Sequence, residues 1–114
     1  MHGLSLCQSL LRQVEKVAAQ HQASGVEKIV LRIGGLSGVE PPLLERAFEV
    51  ARMGTLAEHA ELVIERGPVV VKCRQCGGSS AVPVNRLLCT YCGDWRVQVV
   101  EGEELLLLSV ELDV

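Results

Sequence analysis

Four cysteines in the second half of the chain are spaced as metal ligands. They occur in two similar segments, CRQCGG at 73–78 and CTYCGD at 89–94. Each segment places two thiols three positions apart, so that both sulfurs can reach one ion from a tight turn. The glycine that follows lets the backbone direct its N–H groups toward the sulfurs. Because four thiolates suit tetrahedral zinc in a closed, structural site, the sequence predicts a zinc site formed by Cys73, Cys76, Cys89 and Cys92.

An iron site of the rubredoxin type is the main chemical alternative, since it uses the same four ligands. Such sites generally have more aromatic packing than the two aromatic residues of this segment, Tyr91 and Trp95, can provide. Zinc is therefore the preferred metal. The fifth cysteine, Cys7, lies on the apolar face of a predicted helix, so we expect a small buried side chain rather than a ligand.

The N-terminus offers a second set of donors. The amine of Met1, the imidazole of His2 and the backbone amides of His2 and Gly3 can close chelate rings around one ion. The unperturbed pKa of an α-amine is near 8, so a good fraction is neutral and can bind metal. Nitrogen donors in a plane suit Ni(II) or Cu(II) better than zinc. The alternative is that the histidine at position 2 is incidental and binds no metal. The local sequence leaves both interpretations open.

Two helices and three strands are predicted around the cysteine-rich segment. Apolar residues between Cys7 and Ala18 recur at helical spacing, and the pattern ends near 23–25. Pro41 and Pro42 suit the first turn of a second helix. Alternating residues predict strands at 27–33 and 61–65. A C-terminal strand is expected to bury one apolar face, formed by Leu106, Leu108, Val110, Leu112 and Val114.

These elements predict an α+β fold, with a small three-stranded sheet, two helices and an inserted zinc-ribbon-like domain with four cysteines. The expected boundaries are 1–67 and 101–114 for a discontinuous main domain and 68–100 for the insert. The insert is too short to bury a sufficient core alone. Metal binding is therefore expected to supply its folding free energy.

Composition excludes several other classes. The net charge of −3 over 114 residues gives no electrostatic basis for binding nucleic acid or an anionic membrane. The longest apolar run, 105–108, is far too short to span a bilayer, and the N-terminus does not match a signal peptide. We therefore expect a cytoplasmic protein with reduced cysteines. Neither a catalytic Ser/His/Asp or Cys/His set nor a phosphate-binding loop is apparent, which indicates that the protein is not an enzyme.

Several longer motifs occur in a fixed order along the chain. They are MHxLSLCQSLL at 1–11, LRIGxLSGVEP at 31–41, AFEV at 47–50, GTLAEHAELVIE at 54–65, the paired CxxCG segments and GEEL at 102–105. Together they resemble the nickel metallochaperones of hydrogenase maturation, the HypA/HybF family. The resemblance covers essentially the whole chain.

The resemblance implies a nickel domain that holds Ni(II) through the Met1 amine, the His2 side chain and the first backbone amides, and a separate structural zinc domain. It also implies delivery of nickel to the large-subunit precursor of [NiFe]-hydrogenase, together with a HypB-type GTPase. Some relatives also serve urease maturation. Glu40, in the SGVEP stretch, lies where the family places an acidic residue near the metal end of the nickel domain.

One departure from the family pattern concerns the third residue. The family usually begins MHE, and this chain begins MHG. Gly3 removes a carboxylate but keeps its amide nitrogen, so we expect weaker or more flexible nickel binding. The alternative from another functional class is a zinc-ribbon module that binds protein or nucleic acid without nickel.

Overall fold

The computed structural model describes residues 2–114, with His2 described by its backbone alone. The elements in chain order are α1 His2–Gln20, β1 Gly25–Gly34, α2 Pro41–Ala51, β2 Glu61–Gly67, β3 Val69–Cys73, β4 Ser79–Val82, β5 Val97–Glu101 and β6 Leu105–Asp113. The strands form two three-stranded sheets, ordered β2-β1-β6 and β4-β3-β5. The predicted α+β fold with two helices, a three-stranded sheet and a four-cysteine segment is confirmed. In the part of the chain described, no helix combines the length and apolar character needed to cross a membrane.

The chain divides into two compact units. The first contains the chain up to Leu31, together with Val39–Glu65 and Leu106–Val114. The second contains Arg32–Gly38 and Arg66–Leu105, and therefore holds the sheet β4-β3-β5 and all four clustered cysteines. The division expected from the sequence, in which residues 68–100 form an inserted domain, stays a prediction.

The core of the first unit joins both helices to the sheet. Apolar side chains of α1, α2, β1 and β2 surround one small cavity in this core. Its lining residues are Cys7, Leu10, Leu11, Val14, Ile29, Leu31, Leu44, Phe48 and Leu62. Most of them are buried, as the helical and alternating patterns require. α1 ends at Gln20. Gln22, just beyond it, is in the left-handed region (φ 54°), and the Ala23 N–H donates to the Ala18 carbonyl at 2.9 Å. That bond is typical of a helix C-terminus.

The C-terminal strand differs from its predicted pattern. Leu106, Leu108 and Val114 were expected on the buried face, yet they are 43%, 40% and 86% exposed. Leu105 and Leu107 are half-buried instead, whereas Val110 and Leu112 follow the expected alternation. The alternation shifts by one residue where Leu108 and Ser109 are both exposed. A single shift of this kind reverses the face of every side chain on one side of it.

In the second unit, two chain segments pack backbone to backbone at Gly34 and Gly102. The Gly34 N–H donates to the Glu104 carbonyl at 2.9 Å, and the Leu36 N–H donates to the Gly102 carbonyl at 2.7 Å. A Cβ on Gly34 would lie far inside van der Waals contact with the Gly102 carbonyl. Gly102 itself has a φ of 126°, a conformation that residues other than glycine rarely adopt.

Arg52 organises the segment between α2 and β2. Its guanidinium donates to the Glu58 carbonyl at 2.8 Å and to the Ala60 carbonyl, contacts the Glu49 carboxylate at 3.1 Å and lies over the Phe48 ring. The side chain is only 12% exposed. A planar fork with several donors is required to reach these partners together.

We expect Arg52→Met to lower the free energy of unfolding by about 2 kcal/mol, because two carbonyls lose their charged donor. Urea denaturation measures the change. Arg46→Met, at an exposed position of α2, is the matched control and should change stability by less than about 0.5 kcal/mol. Equal losses in both variants would contradict this role for Arg52.

Candidate metal centre

The first cysteine turn, Cys73 to Gly78, is closed by its own backbone. The Cys73 N–H donates to the Gly78 carbonyl at 2.9 Å, and the Gly77 N–H donates to the Cys73 carbonyl at 3.0 Å. Gly77 has a φ of 78°, which explains the glycine at this position. The backbone N–H groups of Gln75 and Cys76 donate to the Cys73 sulfur at 3.3 and 3.4 Å. The turn therefore places N–H groups where they stabilise a thiolate.

The second turn, Cys89 to Asp94, repeats this geometry. The Cys89 N–H donates to the Asp94 carbonyl and the Gly93 N–H to the Cys89 carbonyl, both at 2.9 Å. Gly93 has a φ of 74°, and the Cys92 N–H donates to the Cys89 sulfur at 3.5 Å. The equivalence of the two turns follows from the equivalent spacing of their cysteines and glycines.

The two turns bring their four sulfurs together. All four lie within 4.8 Å of one another. The Cys73 and Cys92 sulfurs are 3.6 Å apart, and the Cys76 and Cys89 sulfurs are 3.5 Å apart. In a zinc tetrahedron with Zn–S bonds of about 2.3 Å, neighbouring sulfurs would be about 3.8 Å apart. The cluster thus has the size and donor set that one tetrahedral ion requires, and the residues fit zinc.

The thiols of the cluster have opposed pKa shifts. The Cys92 N–H lowers the pKa of Cys89 to about 7, and the Cys76 N–H is the main cause of the lowered pKa of Cys73. The Asp94 N–H acts in the same direction on Cys92, but burial and the neighbouring thiols raise the pKa of Cys92 to about 12. Because a metal-bound cysteine is a thiolate, metal binding at this cluster would release protons.

The cluster is buried on one side and accessible on the other. Cys73 and Cys89 are 2% and 3% exposed, whereas Cys76 and Cys92 are exposed. An ion can therefore approach from the side of Cys76 and Cys92. Cys7 belongs to the core of the first unit, where its Sγ contacts the Leu44 carbonyl at 3.5 Å and burial raises its pKa. As predicted from the sequence, Cys7 is a buried side chain.

Two of the three predicted nickel-binding residues, His2 and Gly3, lie at the start of α1. Met1 lies outside the described residues, and the structure describes only the backbone of His2, as the first residue of α1. Gly3 packs against α2: a Cβ placed on it would be 3.5 Å from the Ala47 Cβ and 3.9 Å from the Leu43 carbonyl oxygen. The nickel assignment to Met1, His2 and Gly3 stays a prediction.

Glu40, the predicted neighbour of the nickel site, is the N-cap residue of α2. Its carbonyl accepts hydrogen bonds from the N–H groups of Leu43 and Leu44, and its side chain makes no capping hydrogen bond. No atom of Glu40 lies within 4 Å of the Cβ position of Gly3. The role of Glu40 therefore also stays a prediction.

Sequence reasoning did not identify a role for Asp94, the last residue of the second turn, or for Arg96. The Asp94 Oδ1 accepts hydrogen bonds from the Arg96 backbone N–H at 2.7 Å and from the Arg96 Nε at 3.0 Å, and the Asp94 Oδ2 accepts one from the Arg96 Nη2 at 2.7 Å. These bonds lower the pKa of Asp94 to about 2. An aspartate two residues before an arginine is the only signal in the sequence, and it is too common to be diagnostic.

Comparison with known proteins gives one consistent family. Residues 1–112 match the HypA family model, described as hydrogenase/urease nickel incorporation, metallochaperone. The hydrogenase maturation factor HypA of Nitrosospira multiformis is 53% identical over 98% of this chain and 97% of its own length. The factor of the same name from Aquifex aeolicus is 44% identical over 100% and 99% of the two lengths.

Two solved structures have the same fold. The Ni metallochaperone HypA from Helicobacter pylori superposes with a TM-score of 0.73 at 29% identity, covering 96% of both chains. Another solution structure of a HypA protein gives a TM-score of 0.76 at 30% identity and covers 98% of this chain and 96% of the other. The similarity thus extends across both compact units.

Proposed function

Because this chain belongs to the HypA family of nickel-incorporation metallochaperones, we propose that it binds Ni(II) at its N-terminus and delivers it to the large-subunit precursor of [NiFe]-hydrogenase. The observation that carries the proposal is a family match that begins at residue 1 and runs to residue 112. The proposed ligands are the Met1 amine, the His2 imidazole and the first backbone amides, including that of Gly3. Glu40 is a proposed neighbour of the site.

The position of His2 and Gly3 at the start of α1 supports the proposal. The first four N–H groups of an α-helix have no carbonyl partner within the helix. The amides of His2 and Gly3 can therefore lose their protons to a metal without breaking a helical hydrogen bond. The result is a set of nitrogen donors that suits square-planar Ni(II).

The four-cysteine cluster is proposed as a structural zinc site within a domain of residues 68–100, separate from the nickel domain of residues 1–67 and 101–114. With four sulfur donors the ion has no open position for a substrate. The chain then acts as a carrier and not as an enzyme. The proposed setting is the cytoplasm, with a HypB-type GTPase as partner and urease maturation proteins as further recipients.

Metal analysis of the untagged protein, with and without added nickel, tests the metal assignments. We expect one zinc per chain in both samples and one additional Ni(II) after dialysis against nickel. A coloured, iron-loaded protein would contradict the zinc assignment. Zinc without any nickel uptake would contradict the nickel assignment and favour a zinc-ribbon interaction module. Transfer of bound ⁶³Ni to the hydrogenase large-subunit precursor would test delivery.

The glycine at position 3 gives a separate prediction. Gly3→Glu should bind Ni(II) about 3- to 10-fold more tightly than the wild type, because a carboxylate near the ion contributes like an outer-shell partner. The contacts of Gly3 with Ala47 and Leu43 leave ordinary van der Waals room for a Cβ. Isothermal titration calorimetry measures the affinities.

Gly3→Ala is the control for this experiment, since any residue with a Cβ stabilises the first turn of α1 relative to glycine. Only the difference between the glutamate and alanine variants reports on the carboxylate. Tighter binding by the wild type than by Gly3→Glu would contradict the prediction.

A further inference from the structure

The two cysteine turns are anchored to their surroundings in different ways. The first turn lies between two strands: β3 ends at Cys73, and β4 begins at Ser79, directly after the turn. β3 and β4 are paired from Val69↔Val82 to Lys72↔Ser79. Both ends of the first turn are therefore fixed by a strand ladder.

The second turn has a strand on one side only. Residues 83–88, which precede it, belong to neither a helix nor a strand, and β5 begins three residues after Asp94, at Val97. The position of Cys89 and Cys92 therefore depends on how the chain passes from Asp94 into β5.

The side chains of Asp94 and Arg96 fix this passage. Three hydrogen bonds of 2.7 to 3.0 Å join the Asp94 carboxylate to the backbone and guanidinium of Arg96. The Asp94 side chain is 16% exposed, so its position is well defined by its surroundings. A carboxylate that accepts from the N–H two residues later also stabilises the turn itself.

The same short segment joins the second turn to the first. The Arg96 carbonyl accepts a hydrogen bond from the Arg74 N–H at 2.8 Å, and Arg74 directly follows the ligand Cys73. The next residue, Val97, pairs with Cys73 across β3 and β5. Fixing Arg96 relative to Asp94 thus fixes Cys89 and Cys92 relative to Cys73.

The first turn has no equivalent device. The residue that corresponds to Asp94 is Gly78, which has no side chain, and the ring of Tyr91 occupies the space beside it. A Cβ on Gly78 would be 2.7 Å from the Tyr91 Cδ2. The two turns therefore have similar backbones and different supports, and the carboxylate belongs to the turn that has a strand on one side only.

We propose that Asp94 and Arg96 are positioning residues for the four-cysteine site, which hold Cys89 and Cys92 in place and slow the loss of the bound metal. The proposal rests on the zinc site of the proposed function. Outer-shell groups that orient ligands commonly contribute 10- to 100-fold to metal affinity. We expect Asp94→Ala to increase the rate of zinc loss about 10-fold.

The test uses the full chain loaded with one zinc and follows transfer of the metal to the chromogenic chelator 4-(2-pyridylazo)resorcinol. Asp94→Asn keeps an acceptor for the Arg96 N–H and should lose zinc at a rate between those of Asp94→Ala and the wild type. Arg96→Gln leaves the backbone hydrogen bond intact, so it remains informative if Asp94→Ala does not fold. Arg86→Gln, at an exposed arginine of the same unit, is the matched control and should equal the wild type.

Substitution of Co(II) for zinc gives an absorption spectrum that reports the geometry of the ligands. A change in overall stability alone would not alter this spectrum. The ligand-field absorption of tetrahedral Co(II) should broaden in Asp94→Ala and recover in Asp94→Asn. If the wild type holds no zinc, the zinc assignment fails. If the wild type holds zinc but both Asp94→Ala and Arg96→Gln release it at the wild-type rate with unchanged Co(II) spectra, the positioning role is overturned.

Discussion

Ni(II) binding is expected to be lost when His2 is replaced by alanine, with an affinity at least about 100-fold lower than that of the wild type, because the set of nitrogen donors loses its only side chain. Adding two residues before Met1 should have the same effect, since it moves the primary amine away from the imidazole. Both variants should keep the full content of metal in the four-cysteine cluster. Calorimetric titration of untagged protein gives the nickel affinity, and elemental analysis gives the other metal.

His59→Ala is the matched control for this prediction, because His59 is an exposed histidine in the same unit. Its nickel affinity should equal that of the wild type. Retained nickel binding in both His2→Ala and the extended chain would show that the ion is held elsewhere, and it would remove the N-terminal site. Loss in only one of the two variants would contradict joint ligation by the amine and the imidazole.

Loss of one clustered cysteine is expected to unfold the second unit. Among the described residues, the buried apolar side chains of this unit are few: Ile33, Val69, Val71, Cys73 and Cys89. So small a core does not offset the conformational entropy of folding without the metal. Binding of a structural zinc contributes about 10–16 kcal/mol in small zinc domains. Cys92→Ser should therefore remove the slowly exchanging amides of Val69–Cys73.

Cys7→Ala is the control for Cys92→Ser, because it also removes one thiol but leaves the cluster complete. It should retain one zinc per chain and the protected amides of β3, although its stability falls through the small cavity left in the first unit. Hydrogen exchange followed by NMR distinguishes the two variants residue by residue. Equal protection of β3 in both would contradict a folding role for the metal.

The features that could be predicted from the sequence depend on short spacings. The distance between Cys73 and Cys76 fixes a turn by itself, and so does that between Cys89 and Cys92. The glycine after each pair supplies the left-handed conformation that the turn requires. The pattern of α1 was equally local, and helix and strand types were correct. The two cysteine turns are distant in sequence, but their contact was predictable because a tetrahedral metal site requires four ligands.

Other features depend on choices that a local pattern does not encode. The shift in β6 that exposes Leu106 and Leu108 could not be predicted from hydrophobicity, since every residue from 105 to 108 is leucine. Arg52 and Arg96 read as ordinary surface arginines until their carbonyl and carboxylate partners are placed. The sheet β4-β3-β5 was missed as a whole, because strands of four or five residues give too little alternation to recognise.

The backbone packing of Gly34 on Gly102 distinguishes residues that maintain the fold from residues proposed to bind nickel. LRIG and GEEL, two of the motifs by which the chain is recognised, include the two glycines at this crossing. Steric exclusion at this crossing is sufficient to explain their presence. A relative without His2 can keep both glycines and the fold, and it would still resemble this chain in sequence. Under the proposed N-terminal nickel site, residue 2 is therefore more informative than percentage identity when nickel binding is inferred from one relative to another.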